Sequence, residues 1–457
     1  NSDYKPYLLK STDAGRTWTS IVGDLPARGS VYAFAEDHVD PNLLFAGTEF
    51  AAWASKDGGK HWFKLPGLPT IAVRDLVVQK RENDLVIATF GRGFYVLDDY
   101  TPLRRATAAT LKTAGVEPVR RTWLYMTTQN YGGRGKSFQG ENFFTADNPP
   151  YGAVITYYLP EALKTKQARR VEAEKAAEKA GKPISYPSNS ALKAEALEEA
   201  PTVIITISDS TGAAIRTFNG PVGKGFQRVA WDLRLAATTL GRGGRPGGGE
   251  GGEGGGFGGP SGPYVVPGTY SVTVATRVDG VVTSIGTKQT ISVLNDPAGT
   301  VAISEHAERG KFMSRQQEMQ RQVSGAVELA TATQTRLDAM KRAADQAPAV
   351  PAAVQNDVRA ALKALQGISE ALSGDNILRG RNEGTPPSIA ERVGGIAGDM
   401  GRFLGAPTST MQRDLAIAES EFAAQRAALR TLVQETIPKI EAALEKAGAP
   451  YTPGRLP

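Results

Sequence analysis

The sequence predicts a multidomain protein that is mainly β in its first two thirds and helical in its last third. Three observations support this. A hairpin motif is repeated near the start, β-branched and aromatic segments recur up to about residue 296, and apolar residues follow a helical spacing after residue 300. In chain order they indicate part of a β-propeller, a β-sandwich and an antiparallel helical bundle. A length of 457 residues also favours several domains, since it exceeds what one core usually holds.

The repeated hairpin reads STDAGRTW at residues 11–18 and SKDGGKHW at residues 55–62. Its aspartates are 44 positions apart (57 minus 13), and a four-stranded propeller blade takes about 40–45 residues. In such a turn the Asp accepts from backbone N–H groups, the Gly supplies a positive φ, and the Trp packs underneath. We therefore predict structural roles for Ser11, Asp13, Gly15, Trp18, Ser55, Asp57, Gly59 and Trp62.

This pattern resembles the Asp-box of bacterial neuraminidase repeats, which occurs in sialidases, some endoglucanases and sortilin-like propellers. In that family the box staples the outer hairpin of a blade, remote from the central site. Residues 81–99, with Gly91-Arg92-Gly93, look like the final blade of bacterial sortilin-like proteins, which are often labelled glycosyl hydrolases. The likeness continues at residues 148–155 and 229–233. It implies a propeller architecture and leaves the activity open.

Residues 1–104 are predicted to form the last blades of the propeller. The chain opens Asn1-Ser2-Asp3-Tyr4 and enters the first motif directly. Roughly two blades cannot close a ring, because propellers contain about four to eight. The expectation is therefore that this chain is the C-terminal part of a longer protein, or that another chain completes the ring.

Residues 105–149 are predicted to be a linker or strap, and residues 150–297 an immunoglobulin-like sandwich. Two insertions interrupt the sandwich. Residues 161–200 are rich in Ala, Lys and Glu and should be helical, whereas residues 241–262 are almost entirely glycine. Pro267-Gly268-Thr269-Tyr270 resembles the strand-entry motif of immunoglobulin-like and fibronectin-like modules.

Residues 300–450 are predicted to form a helical bundle. A first helix should span about His306–Ala344 and a shorter one about Ser388–Leu404. Two further seams have apolar residues spaced by three and four, as packed helices require. They consist of Val354, Val358, Ala361, Leu365, Ile368 and Leu372, and of Met411, Leu415, Ala418, Phe422, Leu429 and Leu432.

Composition narrows the possible chemistry. The chain has no cysteine, so disulfides and thiolate chemistry are excluded, and its net charge of +6 is scattered rather than clustered, which argues against nucleic-acid binding. Its three histidines lack metal-ligand spacing, and no metal or cofactor is predicted. No run approaches the 18 apolar residues of a membrane span.

Asp98 and Asp99 resemble a glycosidase pair, but neighbours on a strand point to opposite faces.

Two residues are candidates for ligand binding. Arg92 in Gly91-Arg92-Gly93 would meet an anion if the turn faces a ligand; a simple tight turn is the alternative. Trp53 would stack on a sugar unless it packs in the core. No catalytic residue is assigned.

The favoured hypothesis is a non-catalytic secreted, periplasmic or cell-surface scaffold that binds a protein or glycan. Its helices would serve a protein partner or self-assembly, since long apolar seams are not part of the resembling enzymes. One alternative is a glycoside hydrolase, sialidase-like or endoglucanase-like, with its active centre mainly in upstream blades. Another is a sortilin-like receptor for peptides.

Overall fold

A computed structural model describes residues 3–127, 146, 148–238 and 261–455 of the chain. Within these ranges the protein is built of β-sheets up to residue 295 and of helices from residue 303 onward, with only short helices among the strands. The predicted order of β followed by α structure is confirmed at this level.

The described residues of the first region form nine strands in three antiparallel sheets of two, four and three strands. Each sheet is a meander, so neighbouring strands are also consecutive in the chain. The strands are β1 (Leu9–Lys10), β2 (Thr19–Ser20), β3 (Val31–Glu36), β4 (Leu44–Thr48), β5 (Ala52–Ser55), β6 (Trp62–Lys64), β7 (Val73–Gln79), β8 (Asp84–Thr89) and β9 (Phe94–Leu97).

The sheet of β3–β6 is covered on both faces. One face, which includes Phe45, packs against Ile87 and its neighbours on the sheet of β7–β9. The other face, which includes Trp62, packs against Leu25 and other residues around the β1–β2 hairpin. The sheet of β7–β9 buries only one face in this stack. On its opposite face Val77 is 53% exposed.

A buried carboxylate joins two of these sheets to the short helix that follows them, α1 (Thr101–Arg105). Asp37, at the end of β3, is 3% exposed. Its oxygens accept from Arg104 Nε at 2.7 Å and Nη2 at 2.6 Å, and from the Tyr100 hydroxyl at 2.6 Å. Arg104 also donates to Asn83 Oδ1 in the β7–β8 turn at 2.7 Å. One ionic cluster therefore fixes the sheet of β3–β6 against that of β7–β9.

The described residues of the middle region form ten strands. Two packed sheets have the orders β10-β12-β15 and β11-β19-β18-β13-β14, and a third pairs β16 with β17. The strands are β10 (Gly115–Val116), β11 (Thr122–Leu124), β12 (Ala153–Leu159), β13 (Thr202–Ser208), β14 (Ala214–Gly220), β15 (Gly225–Trp231), β16 (Arg234–Ala236), β17 (Ser261–Tyr264), β18 (Gly268–Val278) and β19 (Val281–Asn295).

The two larger sheets share one apolar core, in which Ile155, Ile205, Val272 and Trp231 are at most 1% exposed. The segment 105–149, expected to be a linker, contributes β10 to one sheet and β11 to the other. These strands are only two and three residues long, which is too short for a sequence pattern to show.

The insertion at 161–200 is helical, with α2 (Lys166–Lys179) and α3 (Asn189–Ala196). Each helix begins after a side-chain cap, Thr165 for α2 and Ser188 for α3. Neither helix buries a residue, and Arg170 on α2 pairs with Glu195 on α3 at 2.7 Å. Of the predicted glycine-rich segment 241–262, only the last two residues are described.

The helical region consists of α4 (Ile303–Gln346), α5 (Ala352–Ser373), α6 (Asn376–Gly380), α7 (Ile389–Met400), α8 (Ser409–Thr431), a π-helical turn (Leu432–Thr436) and α9 (Ile437–Lys446). Helices α4, α5, α7, α8 and α9 pack around one core. In the two predicted seams every residue except the partly buried Val354 is buried there. Helix α7 starts at a capping box of Ser388 and Glu391, which a Ser-x-x-Glu pattern encodes.

A buried arginine joins the helices to the sheets. Arg309 on α4 is 1% exposed and donates to the Tyr264 carbonyl at 3.1 Å and the Met400 carbonyl at 2.9 Å. Burial lowers the pKa of Arg309 to about 10. Met400 ends α7, so the negative end of that helix dipole faces the guanidinium and offsets its charge.

We predict that Asp37→Asn destabilises the N-terminal sheets by about 3–5 kcal/mol, because the largely buried Arg104 then loses its counter-charge. Urea unfolding followed by tryptophan fluorescence measures this. Burial acts to raise the pKa of Asp37, but the hydrogen bonds from Arg104 and Tyr100 outweigh it and hold the pKa well below its usual range. The contribution of the Asp37–Arg104 pair to the free energy of unfolding is therefore present above about pH 4 and disappears as pH falls through the folded-state pKa of Asp37. Glu36→Gln, on an exposed neighbour, is the control; equal effects of the two variants would contradict the prediction.

Candidate functional site

The two Asp-box hairpins use their aspartates to hold the turn. Asp13 accepts from the Thr17 backbone N–H at 2.8 Å and from its hydroxyl at 2.7 Å. These bonds lower the pKa of Asp13 to about 2. Asp57 accepts from the His61 backbone N–H at 2.9 Å and lies 2.6 Å from His61 Nδ1. Both carboxylates are thus engaged within their own hairpins.

The serines complete each hairpin. Ser11 Oγ donates to Asp13 at 2.9 Å and accepts from the Gly15 N–H at 2.7 Å. Ser55 makes the same two contacts with Asp57 and Gly59, both at 2.9 Å. Gly15 and Gly59 have φ of +86° and +92°, which an L-residue rarely adopts.

The two tryptophans differ. Trp62 is 6% exposed and donates to the Ile21 carbonyl at 3.1 Å, so it lies between the second hairpin and the β1–β2 hairpin. Trp18 is 60% exposed. The packing expected for both tryptophans is therefore found only for Trp62. The β1–β2 hairpin covers the second Asp-box hairpin, whereas no described sheet covers the first.

The two candidate ligand-binding residues lie apart. Arg92 is exposed in the β8–β9 turn between Gly91 and Gly93, whose φ values are +78° and +68°. Trp53 is partly buried against the core around Trp62, and its indole N–H donates to Thr48 Oγ1 at 3.2 Å. This position favours the core-packing alternative for Trp53.

A cation–π cluster that the sequence does not reveal lies where the sheet of β3–β6 meets that of β7–β9. The guanidinium of Arg74 on β7 is 4.2 Å from the ring centroid of Tyr32 on β3 and 5.3 Å from that of Phe90. Tyr32 is 41% and Phe90 68% exposed. We call these three residues the aromatic rim. Arg74 forms no ion pair or hydrogen bond within the described ranges, so its N–H groups are available while two rings hold it in place.

A junction cleft of about 740 Å³ lies where the sheet of β7–β9 meets the middle region. Its lining includes Asp84, Asp98, Arg120, Trp123 and Tyr151. Arg120 Nη1 lies 3.5 Å from Asp84 Oδ1. Asp98 makes no side-chain hydrogen bond to the described residues. Burial, and then the charge of Asp84, raise the pKa of Asp98.

The neighbouring Asp99 has a different role. Its φ is +43°, and its Oδ1 accepts from the Thr101 hydroxyl at 2.6 Å. Asp98 and Asp99 therefore do not act as a pair. The carboxylate that shares the cleft with Asp98 is Asp84, which stands 14 positions earlier (98 minus 84) on the adjacent strand.

Histidine and carboxylate positions define no metal centre in the part of the chain that the structure describes, since no three such side chains cluster. His306 is 2% exposed, and its Nε2 lies 2.9 Å from Asn295 Oδ1. No described helix combines the length and apolarity needed to cross a bilayer.

Comparisons with known proteins give little further information. No family model matches the sequence, and no curated protein matches it. Two solved structures match, both of the extracellular domain of BT4673 from B. thetaiotaomicron, described in one case as a one component system and in the other as a hybrid two component system. Each has a TM-score of 0.17 and 10% sequence identity and covers 63% of this chain. The chain spans 28% of the length of either structure.

We predict that Asp57→Ala costs about 1 kcal/mol of stability, a modest value since the carboxylate is 38% exposed and its bonds compete with water. Burial acts to raise the pKa of Asp57, but hydrogen bonds from His61 and Ser55 lower it to about 2. The contribution of Asp57 to the free energy of unfolding should be present above about pH 4 and decline as pH falls through about 2. Urea unfolding at neutral and acidic pH measures it.

Asp13→Ala is the matched control, because its hairpin lies on the surface and supports no buried tryptophan. It should be the milder change. An equal or larger loss for Asp13→Ala would contradict the prediction.

Proposed function

We propose that the protein is a non-catalytic scaffold of the secreted, periplasmic or cell-surface space, built on a sortilin-like Asp-box propeller, that binds a protein or glycan partner. The observation that carries the proposal is the aromatic rim. Arginine and tyrosine are enriched among the residues that dominate binding energy at protein interfaces. Arg74 is held by two exposed rings and has no partner among the described residues.

The ligand chemistry follows from this arrangement. A guanidinium with free N–H groups presents a fork that matches a carboxylate or phosphate, and the flanking rings add apolar contact area. Arg92 lies two residues beyond Phe90 in the same turn and adds a second positive charge at this end of the sheets. We therefore propose that the partner presents an acidic group, carried by a peptide or by a glycan.

The propeller assignment is supported by the sheet stack. Two consecutive meander sheets, each packed face to face with the next and joined through Asp37, have the arrangement of neighbouring blades. The immunoglobulin-like assignment of residues 150–297 is supported by two sheets sharing one core around Trp231. The helical region would then act as a separate surface for a protein partner or for self-assembly.

We predict that Arg74→Ala weakens binding to an acidic partner about tenfold or more, because the charged fork is removed from its aromatic setting. The labelled full chain is applied to arrays of acidic peptides and acidic oligosaccharides, and each hit is titrated. Arg28→Ala, at another exposed arginine, should leave affinity unchanged. Hits that are equally sensitive to both substitutions, or no hits at all, would contradict the proposal.

A second candidate function is a glycoside hydrolase, because Asp98 and Asp84 share a cleft. The pKa of Asp98 is raised, as it is for the general acid of such enzymes, and Asp84 is a second carboxyl group in the same cleft. If this holds, fluorogenic sialosides or glucosides are hydrolysed and Asp98→Asn lowers kcat at least a hundredfold, a loss typical of a missing general acid. Asp99→Asn is the control. Turnover that survives Asp98→Asn would place any active centre elsewhere.

A further inference from the structure

The ion pairs that tie the helical insertion of α2 and α3 to the rest of the described chain all lie at its base. Lys166 Nζ lies 2.9 Å from Asp279 Oδ1, and Glu199 Oε1 lies 2.5 Å from Arg277 Nη2 on β18. Neither helix buries a residue. A helix rises about 1.5 Å per residue, so α2 places the outer end of the insertion about 20 Å from these contacts. The outer end therefore stands free of the sandwich.

The loop between the two helices presents apolar side chains to solvent at this outer end. Ile184 is 49% exposed and Tyr186 85%, the largest exposed fraction among the described bulky apolar residues. Pro183 and Pro187 flank them and restrict the backbone, which lowers the entropy lost when the loop is fixed against a partner. We call residues 183–187 the hairpin tip. Folding thus leaves an apolar point at the end of a projecting hairpin.

Unpaired positive charge lies directly behind the hairpin tip. Lys175, Lys179 and Lys182 are exposed, and none of them has an ion pair or a side-chain hydrogen bond to the described residues. Glu178 is the one acidic residue between them in the chain. Closer to the base, Arg170 pairs with a carboxylate on each helix. The order along the hairpin is therefore an apolar tip, then lysines, then neutralised ion pairs.

We propose that this hairpin docks on an anionic lipid surface, with its tip inserted at the level of the headgroups. A bilayer presents hydrocarbon beneath a negatively charged headgroup layer, so the groups along the hairpin follow the order in which the tip would meet them. Tyrosine favours this interface, since its ring is apolar and its hydroxyl stays in contact with water. Lysine extends its ammonium group to the phosphates while its methylenes lie on the apolar side.

The shape of the hairpin favours a lipid surface over an acidic protein or a nucleic acid. A stable interface between folded proteins takes about 20–30 residues from each partner, more than this narrow end provides. A nucleic acid would be bound through the lysines and would leave Ile184 and Tyr186 in water. A fluid bilayer needs no matching relief and takes up the apolar residues together with the cations.

The test measures flotation of the full 457-residue chain with vesicles of phosphatidylcholine, alone or with about one third phosphatidylglycerol. We expect binding to the anionic vesicles at low salt and little binding to the neutral ones. Ile184→Ser should lower the partition coefficient on anionic vesicles about tenfold, because its apolar contact is lost. Leu197→Ser is the matched control, since Leu197 is 74% exposed on the same insertion but follows α3 near the base. It should leave the partition coefficient unchanged.

Charge and depth of insertion are measured separately. Lys182→Gln should weaken binding about fivefold at low ionic strength, and less as salt rises, whereas Lys288→Gln, at an exposed lysine on β19, should not. Brominated lipids should quench the added fluorescence of the Tyr186→Trp variant and not that of the Leu197→Trp variant. All these substitutions are at exposed positions, where a change of side chain rarely disturbs folding.

Several outcomes would overturn the proposal. They are no flotation with anionic vesicles, equal binding to neutral vesicles, equal effects of Ile184→Ser and Leu197→Ser, and no quenching of the Tyr186→Trp variant. Binding that depends on the lysines alone, and that polyglutamate or DNA reproduces, would assign the hairpin to an acidic macromolecule and would overturn the lipid assignment as well.

Discussion

The ionic cluster at Asp37 is the constraint on which the N-terminal architecture depends. Asp37 lies just after β3, Asn83 in the β7–β8 turn, and Tyr100 and Arg104 beyond β9, so one cluster joins Asp37 to two segments that are 46 or more positions from it (83 minus 37). The Tyr100 ring also meets Phe45 edge-on at 5.1 Å. The rim depends on this geometry, because Tyr32 belongs to one sheet and Arg74 to the next.

Sequence reasoning predicts what is local or periodic and misses what is distant. The Asp-box hairpins are encoded within eight residues, and the helical seams repeat every three or four, so the order of residues alone locates both. The aromatic rim has no such signal, because Tyr32 and Arg74 stand 42 positions apart (74 minus 32) and meet only when two sheets stack. The junction cleft is similar. The sequence excludes Asp99 as a partner of Asp98, because strand neighbours point to opposite faces, but it does not reveal Asp84, which strand pairing brings into the same cleft.

Burial is also harder to predict than secondary structure. The run Val203–Ile207 is apolar at four of five positions, which favours a strand buried on both faces. In the structure β13 alternates between buried and partly exposed residues, because one face meets the core and the other does not. Trp18 and Trp62 occupy equivalent motif positions, and within the part of the chain that the structure describes only Trp62 has a neighbouring hairpin to cover it. A repeat thus fixes local conformation, while its burial depends on what packs next to it.

Arginine holds each junction of the chain, but with different acceptors. Arg104 bonds the Asp37 carboxylate between the first sheets, whereas Arg228 bonds the Asp98 and Asp99 carbonyls between β9 and the middle region. Arg309 likewise bonds two carbonyls where the helices begin. A carboxylate can be protonated and a carbonyl cannot, so acid weakens the arginine pair at the first junction and leaves the arginine–carbonyl bonds at the other two unchanged. The sheet stack that carries the aromatic rim is therefore a part of the protein that acid weakens through the protonation of Asp37.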